Sequence, residues 1–141
     1  MLLRFKRLTN TSKLPTKAHR GDLGYDLYAD EVMALYPGET ALIKTGIAVQ
    51  FPEGWGGIIK DRSSVATKKH VFTVAGVIDN GYTGEIKIAL FNAGEHIRAF
   101  AVGDKIAQMV LIETTDFVIE QVDEIFSNDE RGDNGFGSTG S

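Results

Sequence analysis

Apolar and polar positions alternate in short bursts along the chain, and turn-forming residues end nearly every burst. Alternation every second residue sends one set of side chains into a core and the other into water, which is the signature of a half-buried strand. Leu3-Arg4-Phe5-Lys6 predicts a first strand, and residues 23–27 a second with an acid, Asp26, set inside it. Pro37-Gly38 predicts a turn. Residues 40–51 predict two strands, ALIKTG and IAVQF, before Pro52-Glu53-Gly54 turns the chain again. Residues 55–60 form a short strand that runs into Asp61-Arg62-Ser63-Ser64, and residues 65–69 are the best helix candidate. A strand over 98–102 leads to a turn at Gly103-Asp104, followed by an apolar strand over 106–113. Residues 117–126 fit both periods, and the all-β surroundings favour a strand.

The strongest local signal lies between residues 71 and 92. Residues 74–78 are apolar, Asn80-Gly81 is the pair that best tolerates the φ > 0 of a tight primed turn, and Glu85-Ile86-Lys87-Ile88 alternates. This predicts a β-hairpin that displays the carboxylate of Asp79 at its turn and the ring of Tyr82 three residues on.

Composition sharpens the fold. Sixteen glycines against three prolines suit many short strands joined by tight turns, and 141 residues suffice for one domain with a real core. The expectation is an all-β domain, a barrel or jelly-roll-like architecture, over residues 1–126. From Ser127 the composition shifts to Ser, Asn, Asp, Gly and Thr, so residues 127–141 are expected to be a flexible glycine-rich arm. A net charge of −4 argues against a general nucleic-acid binder but leaves room for a local basic pocket. The absence of cysteine excludes disulfides and thiolate metal sites and fits a cytoplasmic protein. The N-terminal apolar run is too short for a signal peptide and no stretch approaches a membrane span, so no membrane association is expected.

Several residues could carry chemistry. Arg62-Ser63-Ser64 suits a phosphate cradle, because a planar guanidinium matches phosphate oxygens and hydroxyls fill the remaining acceptors; the same residues also read as a helix N-cap. In the tail, Arg131 and Phe136 stand among glycines, which suits a lid that neutralises phosphate and stacks on a flat base, as well as a plain solvated tail. Asp79 could orient a water, help hold Mg²⁺ or simply cap the turn, whereas Asp104 reads as a turn residue. Gln108 interrupts the apolar run Ile106-Ala107-Gln108-Met109-Val110, so its amide must face water or hold a specific partner. His19, His70 and His96 are isolated and show no metal-ligand spacing.

Five ordered segments together resemble the trimeric dUTPase family (deoxyuridine triphosphate nucleotidohydrolases). They are Gly24-Tyr25-Asp26-Leu27, Arg62-Ser63-Ser64, Gly76-Val77-Ile78-Asp79 through Tyr82-Thr83-Gly84-Glu85-Ile86, Gly103-Asp104-Lys105-Ile106-Ala107-Gln108, and Arg131-Gly132 with Gly135-Phe136-Gly137-Ser138-Thr139-Gly140. The resemblance implies a distorted β-barrel, a homotrimer with shared active sites, Mg²⁺, and cleavage of dUTP to dUMP and pyrophosphate by water attack at the α-phosphate. It implies that Asp79 orients the water and that Tyr82 packs under the deoxyribose. The Gly76-Val77-Ile78 segment and the Lys87 main chain would read the uracil edge. Arg62, Ser63, Ser64 and Gln108 would bind phosphates, and Asp26 would hold Mg²⁺ through water. The arm would close over a neighbouring subunit's site with Arg131, Phe136, Gly137 and Ser138. Thr73, Thr83 and Asp61 depart from common family residues, and the lead Gly21-Asp22-Leu23 is a minor change; the extra charge of Asp61 would weaken triphosphate binding slightly. A dCTP deaminase-type enzyme, which needs a glutamate base near the amino group, and a nucleotide-binding regulatory protein are the rival readings on the same scaffold.

Overall fold

The protein was analysed as a computed structural model that describes residues 1–137. Its strands are β1 (Arg4–Arg7), β2 (Gly24–Tyr28), β3 (Met33–Leu35), β4 (Thr40–Gln50), β5 (Trp55–Lys60), β6 (Val71–Thr73), β7 (Val77–Ile78), β8 (Glu85–Asn92), β9 (Arg98–Phe100) and β10 (Lys105–Glu113), with one helix, α1 (Ser63–Lys69). They form two four-stranded antiparallel sheets, β1-β4-β8-β6 and β2-β10-β5-β7, and a β3-β9 pair. This is the expected all-β, jelly-roll-like barrel. No helix among the described residues is long and apolar enough to cross a membrane.

Alternation explains the layers. In β8, Ile86, Ile88, Leu90 and Asn92 are buried while Lys87 is exposed. These residues join Leu27 of β2, Ile43 and Ile47 of β4, and Ile106 and Met109 of β10 in one core drawn from both sheets. Burying such aliphatic side chains contributes about 1.5–3 kcal/mol each. The buried amide of Asn92 is satisfied: Nδ2 donates to the carbonyls of Leu35 (2.9 Å) and His96 (2.7 Å), and Oδ1 accepts from the Gly94 N–H.

Four elements differ from expectation. Residues 40–50 form one strand rather than two, because the apparent break at Thr45-Gly46 is a β-bulge: the register against β8 shifts between Lys44 and Ala48, and Gly46 has φ 67°. Strand β3 was not foreseen, since three residues are too few to show a period. The tight hairpin is not formed. Strand β7 pairs with β5, and β8 pairs with β4 and β6, so the segment between residues 71 and 92 opens into a fork. Neither Asn80 nor Gly81 has positive φ. Instead, Asn80 Nδ2 donates to the carbonyls of Pro52 (3.0 Å) and Trp55 (2.7 Å), pinning the turn to the neighbouring loop. Finally, residues 117–126 form no strand; Phe117, Val118, Ile119, Ile125 and Phe126 are all more than four-fifths exposed, and among the described residues the segment pairs with no strand. The last strand ends at Glu113, ahead of the boundary expected at 126.

Candidate active site: an open strand fork and a polar pocket

The fork makes the first concavity. The β6–β8 ladder runs as far as Val74, whose N–H donates to the Ala89 carbonyl (3.0 Å). Ala75 (φ 58°) and Gly76 (φ 110°) then turn the chain away to join β5, where the Gly76 carbonyl accepts from the Ile59 N–H (2.8 Å). A cleft of about 320 Å³ is left between β7 and the start of β8, lined by Ile59, Gly76–Asp79, Tyr82, Glu85, Ile86 and Lys87, with Leu42 at its side. Main-chain groups in an antiparallel strand face alternate sides. Ala89 faces β6, so Lys87, two residues earlier, turns its N–H and C=O to the same side, where β6 has departed. Val77 likewise turns both groups away from β5, whereas the carbonyl of Gly76 is already engaged. A planar ligand with donors and acceptors along one edge can therefore meet two strand edges at once.

Two side chains finish this cleft. Tyr82 folds back over the turn, its hydroxyl donating to the Glu85 carbonyl (2.6 Å) while its N–H donates to the Asp79 carbonyl (3.1 Å). Asp79 is exposed, and among the described residues its carboxylate has neither an ion pair nor a hydrogen bond. The Glu85 carboxylate, in contrast, accepts from the Gly46 N–H (2.9 Å) and is held in the bulge. Thr45, fully buried in the same bulge, donates its hydroxyl to the Ile86 carbonyl (2.5 Å). The bulge thus fixes the β8 wall of the cleft.

A second concavity of about 440 Å³ is lined by Ala18, Asp22, Leu23, Gly24, Asp26, Arg62, Ser63, Ser64 and Gln108. Arg62 serves as the N-cap of α1 with extended backbone but makes no side-chain cap bond, and its guanidinium goes to Asp26 instead (Nε–Oδ1 3.0 Å). Lys105 Nζ approaches the other oxygen, Oδ2, at 3.3 Å. Ser63 and Ser64 are exposed in the first turn, where helical N–H groups lack intrahelical partners. Gln108, opposite Asp26 in the β2–β10 ladder, donates Nε2 to the Asp61 carbonyl (2.8 Å). Gly24 is needed here, since a Cβ at that position would run into the Gln108 amide. The carboxylate of Asp61 accepts from the Thr73 N–H (2.5 Å), so this departure from the family pattern caps β6, and Asp61 is not among the residues lining the pocket.

The segments expected to act together are thus only partly assembled within one chain. Asp26, Arg62, Ser63, Ser64 and Gln108 meet in the second, polar pocket, and Gly76, Val77, Ile78, Asp79, Tyr82 and Lys87 meet in the fork. The described residues of the arm reach neither: Arg131 Nε donates to the Asn134 carbonyl (2.9 Å) and Phe136 is fully exposed. Gly137 ends the described chain, and Ser138 lies outside the described residues. Asp104 is a turn residue, as expected, accepting from the Ala101 N–H (2.8 Å). Lys105 and Thr45 were not foreseen, because their positions depend on bulges that strict alternation does not show.

Asp26 bears on the expected metal. Among the described residues no three His, Cys, Asp or Glu side chains gather as a metal site. A carboxylate has about four lone-pair sites. Asp26, with one cation on each oxygen, can still accept from a metal-bound water but is poorly placed to coordinate a dication directly. The donor set fits a water-mediated Mg²⁺ whose other ligands come with a bound phosphate.

A sequence profile of the dUTPase family matches residues 10–140. A curated deoxyuridine 5'-triphosphate nucleotidohydrolase of Clostridioides difficile is 44% identical over 98% of this chain and 97% of its own length. One from Trichodesmium erythraeum is 39% identical over 99% of each chain. Among solved structures, the dUTPase of Staphylococcus bacteriophage 80alpha with dUpNHpp is 32% identical, with a TM-score of 0.87 and 99% of each chain covered. A point mutant of the dUTPase from phage phi11 of S. aureus, which coordinates a structural Mg(II) ion, is 31% identical with a TM-score of 0.81 over 90% of this chain and 100% of its own.

Proposed function

The chain belongs to the dUTPase family and hydrolyses dUTP to dUMP and pyrophosphate, and we propose that its two concavities divide that substrate between them. The observation that carries this reading is the unpaired Asp79 carboxylate at the mouth of a cleft whose two strand edges are left open. Uracil lies in the fork, its edge hydrogen-bonded by the main chains of Val77 and Lys87 and the N–H of Gly76, with Ile78 beneath. Tyr82 packs against the deoxyribose, leaving no room for a 2′-hydroxyl. Asp79 accepts a proton from water as the water oxygen attacks the α-phosphorus; the bond to the bridging oxygen breaks and pyrophosphate leaves. Reactions of this kind are accelerated by positioning and charge stabilisation rather than by covalent catalysis. Arg62, Ser63, Ser64 and Gln108 hold the phosphate oxygens, and Mg²⁺, reached by Asp26 through water, would neutralise further phosphate charge. A carboxylate–guanidinium contact that leaves terminal nitrogens free suits such a role.

A complete site needs groups that one chain does not bring together. The exposed apolar run over 117–126 and the arm beyond it support a homotrimer in which residues 127–141 of one copy close over another's site, with Arg131 and Ser138 at the phosphates and Phe136 and Gly137 at the base. A monomer rarely leaves this many large apolar side chains of one short segment in water. The Glu85 carboxylate is tied to Gly46, so a deaminase's glutamate base is not free in the cleft. The test is incubation with dUTP, dCTP or UTP and Mg²⁺, following pyrophosphate and ammonia. Pyrophosphate from dUTP alone is expected; ammonia from dCTP would overturn the reading.

A further inference from the structure

Lys105 stands three residues before Gln108 on β10. In a regular strand an odd separation puts two side chains on opposite faces. Here the register against β2 slips: Lys105 pairs with Tyr28, Ala107 with Leu27 and Gln108 with Asp26, so Ile106 is an extra residue. Tyr28 and Asp26 share a face of β2, so the bulge swings Lys105 onto the face of Asp26 and Gln108, while Ile106 and Ala107 are both fully buried. Bulges beside functional sites re-aim side chains in this way. The ammonium reaches Asp26 Oδ2 at 3.3 Å, and the Asp26 side chain is only 15% exposed.

The contact matters for Arg62. A guanidinium and a carboxylate left to themselves prefer a two-pronged pair, with both oxygens on two nitrogens. In this pocket Asp26 gives Arg62 only Oδ1, through Nε; among the described residues the terminal nitrogens of Arg62 make no hydrogen bond. Resting on the assignment of Arg62 to the phosphates, we infer that Lys105 is a positioning residue for triphosphate binding: by occupying Asp26 Oδ2 it prevents the two-pronged pair and leaves both terminal nitrogens of Arg62 aimed at the ligand. Removing Lys105 frees Oδ2 to swing onto Arg62 and draws a nitrogen away from the phosphates. Asp22, the other acid lining the pocket, is held by the His19 N–H (2.8 Å) and does not compete for Arg62.

The test is calorimetric titration of Lys105→Met, Lys105→Arg, Arg62→Met and the Lys105→Met/Arg62→Met double variant with dUpNHpp, and with dUMP as the short ligand. Lys105→Met is expected to weaken dUpNHpp by about tenfold, the scale of one charge-assisted hydrogen bond. It should leave dUMP much less affected, and Lys105→Arg should restore most of the loss. In the Arg62→Met background the further loss from Lys105→Met should vanish. A tenfold loss that persists there would make Lys105 a direct phosphate ligand and overturn the inference, as would equal losses for dUMP and dUpNHpp. If Arg62→Met weakens dUpNHpp and Lys105→Met does not, the inference fails while the assignment of Arg62 stands; if neither does, that assignment fails as well.

Discussion

Two aspartates show how neighbours decide what a carboxylate can do. Asp26 is largely buried between Arg62 and Lys105, so its charge is spent on orienting cations. Asp79 is exposed just beyond β7 and, among the described residues, unpaired, so its charge is available to a water. An amide of the same shape keeps the hydrogen bond but cannot take a proton. Asp79→Asn should therefore lower kcat by about 10²–10⁴, the usual worth of a general base, while dUpNHpp affinity is retained. Pyrophosphate release beside calorimetry measures both, and a variant with full turnover would remove Asp79 from the chemistry. At this scale much of the site was legible, because arginine, hydroxyl and carboxylate groups announce phosphate and proton chemistry by type. Asp61 was not. Its carboxylate read only as an added charge near phosphate, and its cap on the Thr73 N–H, a partner twelve residues away, is one that no spacing rule points to.

Among the elements, the bulged β4 strand does the most to shape the cleft. Thr45 and Gly46 replace regular ladder bonds with a hydroxyl to Ile86 and an N–H to Glu85, which holds the start of β8 apart from β7. Gly46 has φ 67°, and a Cβ there would press on the Asp30 carboxylate and on Ser12 Cβ. Gly46→Ala should destabilise the protein by about 1–3 kcal/mol through backbone strain. A lowered urea midpoint with weakened dUpNHpp binding is the expected result, and an unchanged midpoint would refute the role given to the bulge. The same element misled the sequence reading, since a glycine inside an apolar run looks like the end of one strand and the start of another. Asn80-Gly81 misled it differently. The pair favours a primed turn locally, but the two hydrogen bonds of the Asn80 side chain to Pro52 and Trp55, with β5–β7 pairing, outweigh that preference.

For the whole molecule the decisive feature is separation. The fork and the polar pocket are distinct concavities of one chain, and among the described residues the large apolar side chains of 117–126 are left exposed. If the active site is assembled from several copies, two inactive variants damaged in different parts should repair each other. Asp79→Asn and Arg62→Met chains, each expected to be impaired alone, should regain part of the dUTP hydrolysis when unfolded and refolded together. Sedimentation should report a trimer for both. No regained activity in mixed trimers would place each site within one chain.

What the amino-acid order determined alone was the all-β class, the helical turns over 65–69, most strand positions and the residue types of the site. These follow from local periodicity, turn chemistry and the chemical character of side chains. What only the tertiary structure decided was which strands pair. Pairing turned an expected hairpin into an open fork, made Asn80 an anchor instead of a turn former, and carried Lys105 across the strand to Asp26. The physical reason is that backbone hydrogen bonds and bulges are settled between segments far apart in the chain, where a local preference of a few tenths of a kcal/mol is easily outweighed.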